Sequence, residues 1–258
     1  MGFGDALMAS GLARGAAARG KRIAFGDGAR IIWSAWEREV LRLNPNVAPP
    51  GAEGAPDLKW IAHYKGHRLY NRPTPERWIW NYDFRPVPGE VFFDDEELAF
   101  GSVCGGGYVV IEPDVPLKDV ADNKRWGKGR FVEVAARLLA TGREVVQFSR
   151  DGSGSPLVPG VRTIVTPTFR HALAALSKAA LYIGPEGGLH HGAAAVGVPA
   201  VVLFGGFIPP EVTGYAGHTN LFTGGTACGA RRPCAHCQAA MDAITVHMVT
   251  EAAERILA

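Results

Sequence analysis

The sequence predicts an α/β protein whose second half is a parallel sheet covered by helices. From about residue 100 onward, short apolar runs alternate with segments of helical periodicity, as in strands joined by crossover helices. Residues 181–183 are apolar throughout and lead into a glycine-rich turn, which is typical of a strand buried on both faces. The first half lacks this alternation, so we expect an N-terminal domain of residues 1–100 and a second domain of residues 101–258.

The N-terminal half begins with a helix and a strand. Residues 6–19 carry apolar side chains at helical spacing, and Gly20 precedes the segment 21–26, whose residues 23–25 are apolar. This pattern predicts a helix, a stop and a strand. Prolines and aromatic residues are dense between residues 45 and 88, which favours short strands and long loops. The tryptophans and tyrosines of residues 60–82 would suit either a ligand wall or the core of a small domain.

The second half supplies the sheet. Strands are predicted at 108–111, 144–148, 163–165, 181–183 and 200–204, and helices at 129–140, 169–179, 189–196 and 249–257. Ligands of such sheets bind beyond the carboxyl ends of the strands. Glu112, the segment 184–188 and Gly205 would all lie at that edge.

Composition restricts the classes of function. The 258 residues include 27 basic and 25 acidic side chains, for a formal net charge of +2, which argues against a nucleic-acid partner. We find no run of 18 apolar residues and no secretion signal, and the four cysteines do not form a secreted disulfide framework. A cytoplasmic location is the expectation.

The segment 181–205 has the layout of an anion site, with a strand, a glycine turn, an alanine-rich helix and a second strand. Gly187 and Gly188 leave backbone N–H groups free to face a ligand, and the helix presents its positive end there. A phosphate would fit, and Glu186 could accept hydrogen bonds from sugar hydroxyls. Glu186 could equally be a first-turn acid that stabilises the helix dipole.

Three ordered motifs carry a resemblance. Residues 186–195, the strand end 203–205 and the tail 228–244 resemble the C-terminal half of the heptosyltransferases, glycosyltransferase family 9. The resemblance implies a GT-B-like α/β fold of two Rossmann-like domains and inverting, metal-independent sugar transfer, commonly in lipopolysaccharide assembly. Only three residues precede Gly4, where the family has a buried strand. Either the first strand is missing and the N-terminal domain is reduced, or the sequence starts downstream of the natural start. Glu186 and Gly187 stand where the family usually has aspartate and serine or threonine.

The resemblance also assigns site residues. Asp5 matches the aspartate that acts as general base toward the acceptor hydroxyl, although an aspartate there could simply cap the first helix. Lys124 matches the lysine that contacts the donor phosphates and stabilises the charge of the leaving diphosphate, with Arg125 a weaker candidate. His191 matches the histidine near those phosphates, whereas His190 has no counterpart. Because two consecutive histidines are not easily both buried, we expect one of them to face the cleft.

The cysteines of the tail leave a second question open. Cys228, Cys234 and Cys237 could supply three ligands of a structural zinc ion. The pattern lacks a second closely spaced pair, and the resemblance implies no general need for metal. We therefore expect no metal in catalysis and no cofactor beyond the donor substrate.

The expected function is that of a glycosyltransferase that moves a hexosyl or heptosyl unit from a nucleotide diphospho-sugar to a glycan or glycolipid. The protein would associate peripherally with the inner face of the membrane. The aromatic residues of 60–82 would be acceptor-side candidates. One alternative is a sugar-nucleotide epimerase or hydrolase, which would release nucleotide without an acceptor. The other is a non-catalytic nucleotide-sugar binding module.

Overall fold

The computed structural model describes residues 1–113, 120–150, 158–223 and 225–258. In chain order the elements are α1 (Phe3–Ala17), β1 (Arg22–Phe25), α2 (Ala35–Val40), β2 (Leu58–Ile61), β3 (Asn71–Pro73), β4 (Trp78–Trp80), α3 (Asp95–Val103), β5 (Val109–Ile111), a 3-10 turn (Ala121–Lys124), α4 (Lys128–Ala140), β6 (Val145–Ser149), β7 (Arg162–Val165), α5 (Phe169–Leu176), β8 (Leu181–Pro185), α6 (Gly188–Ala195), β9 (Ala200–Phe204), α7 (Pro210–Thr213), β10 (Thr219–Phe222), α8 (Ala235–Ala243) and α9 (Val246–Leu257).

The main sheet has six parallel strands in the order β10-β9-β8-β5-β6-β7. The predicted parallel sheet is therefore confirmed, and β10 is an edge strand that the sequence pattern did not reveal. One face of the sheet packs with α4 and α9 in a core that contains Phe131 and Val249. The other face shares a core with α1, α5 and α6. Every strand carboxyl end lies at the same edge because all the strands are parallel.

The N-terminal half has little sheet of its own. Strands β1 and β2 form a two-stranded parallel sheet, and β3 and β4 form a short antiparallel pair. The predicted short strands and long loops between residues 45 and 88 are confirmed. Helix α3, which the sequence pattern missed, spans residue 100 and packs on α5. The domain boundary near residue 100 stays a prediction.

Helix α1 connects the two halves. It begins at Phe3, earlier than predicted, because Asp5 in its first turn accepts a hydrogen bond from the Gly2 N–H at 2.6 Å. Its buried face packs on α6 of the second half. A Cβ at Gly4 would lie 2.6 Å from His191 Cδ2, so the close approach of the two helices requires glycine there. The main core is therefore continuous between the halves.

A buried arginine also ties the halves together. Arg170 of α5, 1% exposed, binds both carboxylate oxygens of Glu97 on α3 at 2.6 and 2.7 Å. Its remaining N–H groups donate to backbone carbonyls of residues 39, 40, 42 and 92. Arg42 pairs with the same carboxylate at 2.6 Å. Three segments of the N-terminal half, at residues 39–42, at residue 92 and at Glu97, thus accept hydrogen bonds from one guanidinium group.

Within the part of the chain that the structure describes, no helix is both long and apolar enough to cross a bilayer.

Candidate functional site

A cavity of about 750 Å³ opens at the carboxyl edge of the main sheet. Its walls come from the ends of β6, β7 and β8, from the 3-10 turn that carries Lys124, and from the N-terminal half. The N-terminal contribution consists of Phe3, Trp36 and Glu39. The cavity therefore occupies the position predicted for a ligand, between the two halves of the chain.

Lys124 and Glu186 form an ion pair on the cavity wall. Glu186 is 6% exposed, and its other carboxylate oxygen lies 3.2 Å from His191 Nε2. His191 Nδ1 lies 2.9 Å from the hydroxyl of Tyr215. The sequence named three of these residues separately, and the structure joins them in one chain of contacts.

The electrostatics fix the direction of these hydrogen bonds. Burial raises the pKa of Glu186, but the nearby Lys124 ammonium and the His191 contact outweigh that effect and leave its pKa well below the usual value. Glu186 is therefore an ionised acceptor, so His191 donates from Nε2. Burial raises the pKa of Tyr215, so its hydroxyl keeps its proton. In the neutral His191 ring that carries its proton on Nε2, Nδ1 is an acceptor and the Tyr215 hydroxyl donates to it.

Helix α6 follows Glu186 in the chain, with Gly187 as its N-cap residue. Gly187 and Gly188 both line the cavity, and Gly188 is the first residue of the helix. The backbone N–H groups of a first helical turn have no acceptor within the helix, and the helix dipole adds positive charge there. The first turn of α6 and the Lys124 ammonium therefore both offer hydrogen-bond donors to a negatively charged group, although the Glu186 carboxylate offsets the charge of Lys124.

The expectation that one of the two histidines faces the cleft is wrong, because His190 is 0% and His191 2% exposed. The buried ring of His190 packs among the rings of Phe204, Tyr215 and His218, with centroids 5.3 to 5.8 Å away. Burial lowers its pKa well below the usual value, so the ring is neutral. His191 reaches the cavity only through Glu186.

Asp5 lies behind the cavity, in the first turn of α1. Its carboxylate accepts from the Tyr70 hydroxyl at 2.6 Å and pairs with Arg68 Nε at 2.8 Å. Burial raises the pKa of Asp5, but Arg68 and Tyr70 outweigh burial and leave it below the usual value. The described lining of the cavity does not include Asp5. The sequence could not foresee these partners because they come from an irregular segment more than 60 residues away.

A sequence profile of glycosyltransferase family 9 (heptosyltransferase) matches residues 94–244, which is more than half of the chain. The chain belongs to glycosyltransferase family 9. The match includes the 3-10 turn with Lys124 and the Glu186 turn, so the recognition made from the sequence is confirmed. Asp5 lies outside the matched residues, and its assigned role stays a prediction.

The chain is also similar to solved structures of bacterial glycosyltransferases. The iron-containing dodecameric glycosyltransferase TibC from enterotoxigenic E. coli has 19% identity and a TM-score of 0.50, over 66% of this chain and 48% of that one. E. coli ADP-heptose lipopolysaccharide heptosyltransferase II has 17% identity and a TM-score of 0.48, over 72% and 55%. The family 9 enzyme of Veillonella parvula has 17% identity and a TM-score of 0.49, over 67% and 54%. A search of curated proteins finds no match.

The likeness to TibC confirms the GT-B-like α/β fold of this family 9 member. The chain spans about half the length of the solved structures that it matches. Its own N-terminal sheet has only two parallel strands. The likeness to structures under 20% identical concerns the fold alone.

The cavity aromatics of this family 9 chain differ from the predicted ones. The described lining contains none of the tryptophans and tyrosines of residues 60–82 and instead includes Phe3, Trp36, Phe148 and Phe169. Trp36 is 42% exposed, and its ring meets that of Phe3 edge-on with centroids 4.7 Å apart. Helix α2, which carries Trp36, begins with a capping box of Ser34 and Glu37. That spacing is readable in the sequence and would have located the helix.

The three cysteines of the tail come together beside helix α8. The sulfur of Cys228 lies 3.2 Å from that of Cys237 and 4.0 Å from that of Cys234. Cys104, the fourth cysteine, is buried at the end of α3. The three cysteines that the sequence left open as possible zinc ligands thus lie together in the fold.

Proposed function

We propose that this chain is a glycosyltransferase that takes its sugar from a nucleotide diphospho-sugar. The observation that carries the proposal is the end of the cavity where the Lys124 side chain, paired with Glu186, and the first turn of α6 meet at the carboxyl ends of the strands. A leaving diphosphate gains negative charge in the transition state, and a fixed ammonium and helix N-terminus stabilise charge at the place where it develops.

Glu186 would then position Lys124. An unpaired lysine side chain has many rotamers, whereas the buried carboxylate of Glu186, held by His191, keeps the ammonium on the cavity wall. Such preorganisation lowers the cost of ordering when the donor binds. Gly187 and Gly188 complete the proposed phosphate site with backbone N–H groups.

We further propose inversion at the anomeric carbon, with Asp5 as base and without a catalytic metal, because Lys124 and helix α6 supply positive charge for the leaving group. In this scheme the Asp5 carboxylate must exchange its contact with Arg68 or Tyr70 for the acceptor hydroxyl. The acceptor would be a glycan or glycolipid, met in the cytoplasm or at the inner face of the membrane. Trp36 at the cavity mouth offers a ring on which a sugar can stack.

Calorimetry with ADP, UDP, GDP and CMP and their sugar conjugates tests the donor site. For the nucleotide that binds, Lys124→Met should weaken affinity about 10- to 100-fold, since a charge-assisted hydrogen bond contributes about 1.5–3 kcal/mol. The matched control is Lys178→Met, an exposed lysine outside the described lining. Equal affinity of wild type and Lys124→Met would overturn the proposed site.

A second candidate is a nucleotide-sugar binding module without transfer activity, and the shielding of Asp5 favours it. Asp5→Asn separates the two candidates. For a transferase with Asp5 as base, this variant should lose transfer by at least 100-fold while keeping its affinity for the donor. Donor binding by the wild type without turnover, across a panel of glycan and glycolipid acceptors, would support the binding module.

A further inference from the structure

We infer that Cys228, Cys234 and Cys237 form a three-thiolate site for a thiophilic divalent metal ion such as Zn²⁺. The three sulfur atoms all lie within 4.8 Å of one another. Sulfur ligands of a tetrahedral zinc ion lie about 3.8 Å apart, because each Zn–S bond is about 2.3 Å long. The distances of 3.2 and 4.0 Å from Cys228 bracket that value. Small side-chain rotations would place one ion at bonding distance from all three.

A backbone N–H group already points at one of the three sulfur atoms. The Ala230 N–H donates to Cys228 Sγ, with 3.4 Å between nitrogen and sulfur. Such bonds stabilise a thiolate and fix its direction, as the outer contacts of metal sites do for their ligands.

The burial pattern also suits a metal ion with one open position. Cys237 is 0% exposed, whereas Cys228 and Cys234 are only partly buried. An ion bound by all three would therefore have protein on one side and solvent on the other, so water can complete a tetrahedral set. A disulfide would use only two of the sulfur atoms and would leave the third unexplained.

The chain between the first two cysteines connects this metal site to the cavity. Gly229 accepts from the Trp78 N–H of β4 at 2.8 Å. The side-chain amide of Asn123 donates to the carbonyls of Ala230 and Arg232 at 3.0 and 2.9 Å. Asn123 immediately precedes Lys124 in the 3-10 turn. A metal bound at both ends of residues 228–234 would thus hold the segment that anchors the turn of Lys124.

The metal content of the purified protein tests the site directly. We expect about one equivalent of Zn²⁺ per chain by mass spectrometry after zinc loading and desalting, and a strong near-ultraviolet thiolate-to-metal band when Co²⁺ replaces Zn²⁺. Cys228→Ser and Cys237→Ser should lose both signals. The matched control, Cys104→Ser, removes a buried cysteine outside the cluster and should keep them.

The Co²⁺ spectrum of the wild-type protein needs no substitution, so the test holds even if a serine variant does not fold. Absence of the thiolate band in wild-type protein whose four thiols are all free would overturn the inference. So would full metal content in Cys228→Ser, or a disulfide among the three cysteines in protein purified without oxidant.

The link between the metal site and the turn of Lys124 is independent of the proposed function. Only the effect of this link on donor binding rests on the proposed function. Hydrogen exchange of residues 121–124 and 226–233 measures it without any substrate. We expect exchange in both segments to slow at least tenfold in the zinc-loaded protein relative to the chelated one. Metal binding with unchanged exchange at 121–124 would refute the connection, and failure to bind any nucleotide would refute the proposed function alone.

Discussion

Replacing Arg170 with methionine should destabilise the protein by about 3 kcal/mol. Removing one partner of a buried ion pair typically costs about 3–5 kcal/mol, because the other charge is left without compensation. Here Glu97 keeps its 2.6 Å contact with Arg42, so the loss falls at the lower end of that range. In this variant the backbone carbonyls that accept hydrogen bonds from Arg170 also lose their donor. For a chain of this size the change corresponds to a decrease in Tm of about 6–12 °C.

Urea unfolding followed by tryptophan fluorescence measures the free energy of unfolding of this variant. The matched control is Arg255→Met, whose partner Glu251 lies 3.8 Å away on the exposed face of α9. That pair should contribute at most about 0.5 kcal/mol. A loss below about 1 kcal/mol for Arg170→Met, with an unchanged m-value, would show that Arg170 does not hold the two halves together.

Three further predictions follow from single positions. Gly101→Ala places a Cβ 2.6 Å from the backbone of α5 and should lower the free energy of unfolding by about 1–2 kcal/mol. The control Gly129→Ala places its Cβ in open space and should not lower it. Equal unfolding curves for the two variants would contradict the prediction. Tyr215→Phe removes the donor to His191 Nδ1 and should shift the ¹⁵N resonance of Nδ1, whereas Nε2 keeps its contact with Glu186; an unchanged Nδ1 resonance would refute the assigned hydrogen bond. Burial lowers the pKa of His63 from 6.5 to about 4. Between these values the unfolded chain binds the proton and the folded chain does not. The free energy of unfolding should therefore fall by up to about 3 kcal/mol as the pH decreases from 6.5 to 4. His63→Leu should flatten that part of the stability curve, and an identical pH dependence in the variant would exclude the effect.

The sequence predicted the main sheet because buried parallel strands leave a strong local pattern. Short continuous apolar runs such as 181–183 and 200–204 are typical of strands buried on both faces. The glycine turn between these two runs marks the edge of the sheet where ligands bind. Strand order has no such local signature. Edge strand β10 is only half-buried along its length, so its pattern is weaker than that of the central strands.

The candidate site was predicted as separate residues and not as an arrangement. Lys124 and Glu186 were both named, but nothing in their 62-residue separation says that they pair. The shielding of Asp5 depends on Arg68 and Tyr70, which lie in a segment without periodicity. His190 was expected to compete with its neighbour for the cleft, because sequence spacing does not show that a group of rings can enclose a neutral histidine.

Trp36 gives the cavity an optical reporter of its own. Its indole is partly exposed on the cavity wall, so a nucleobase or sugar that enters should change its emission. Trp126, in contrast, is 2% exposed and donates to the Ile244 carbonyl at 2.7 Å beneath α4, where it supplies a constant background. Binding titrations can therefore be read from unlabelled protein, with Trp36→Phe as the blank.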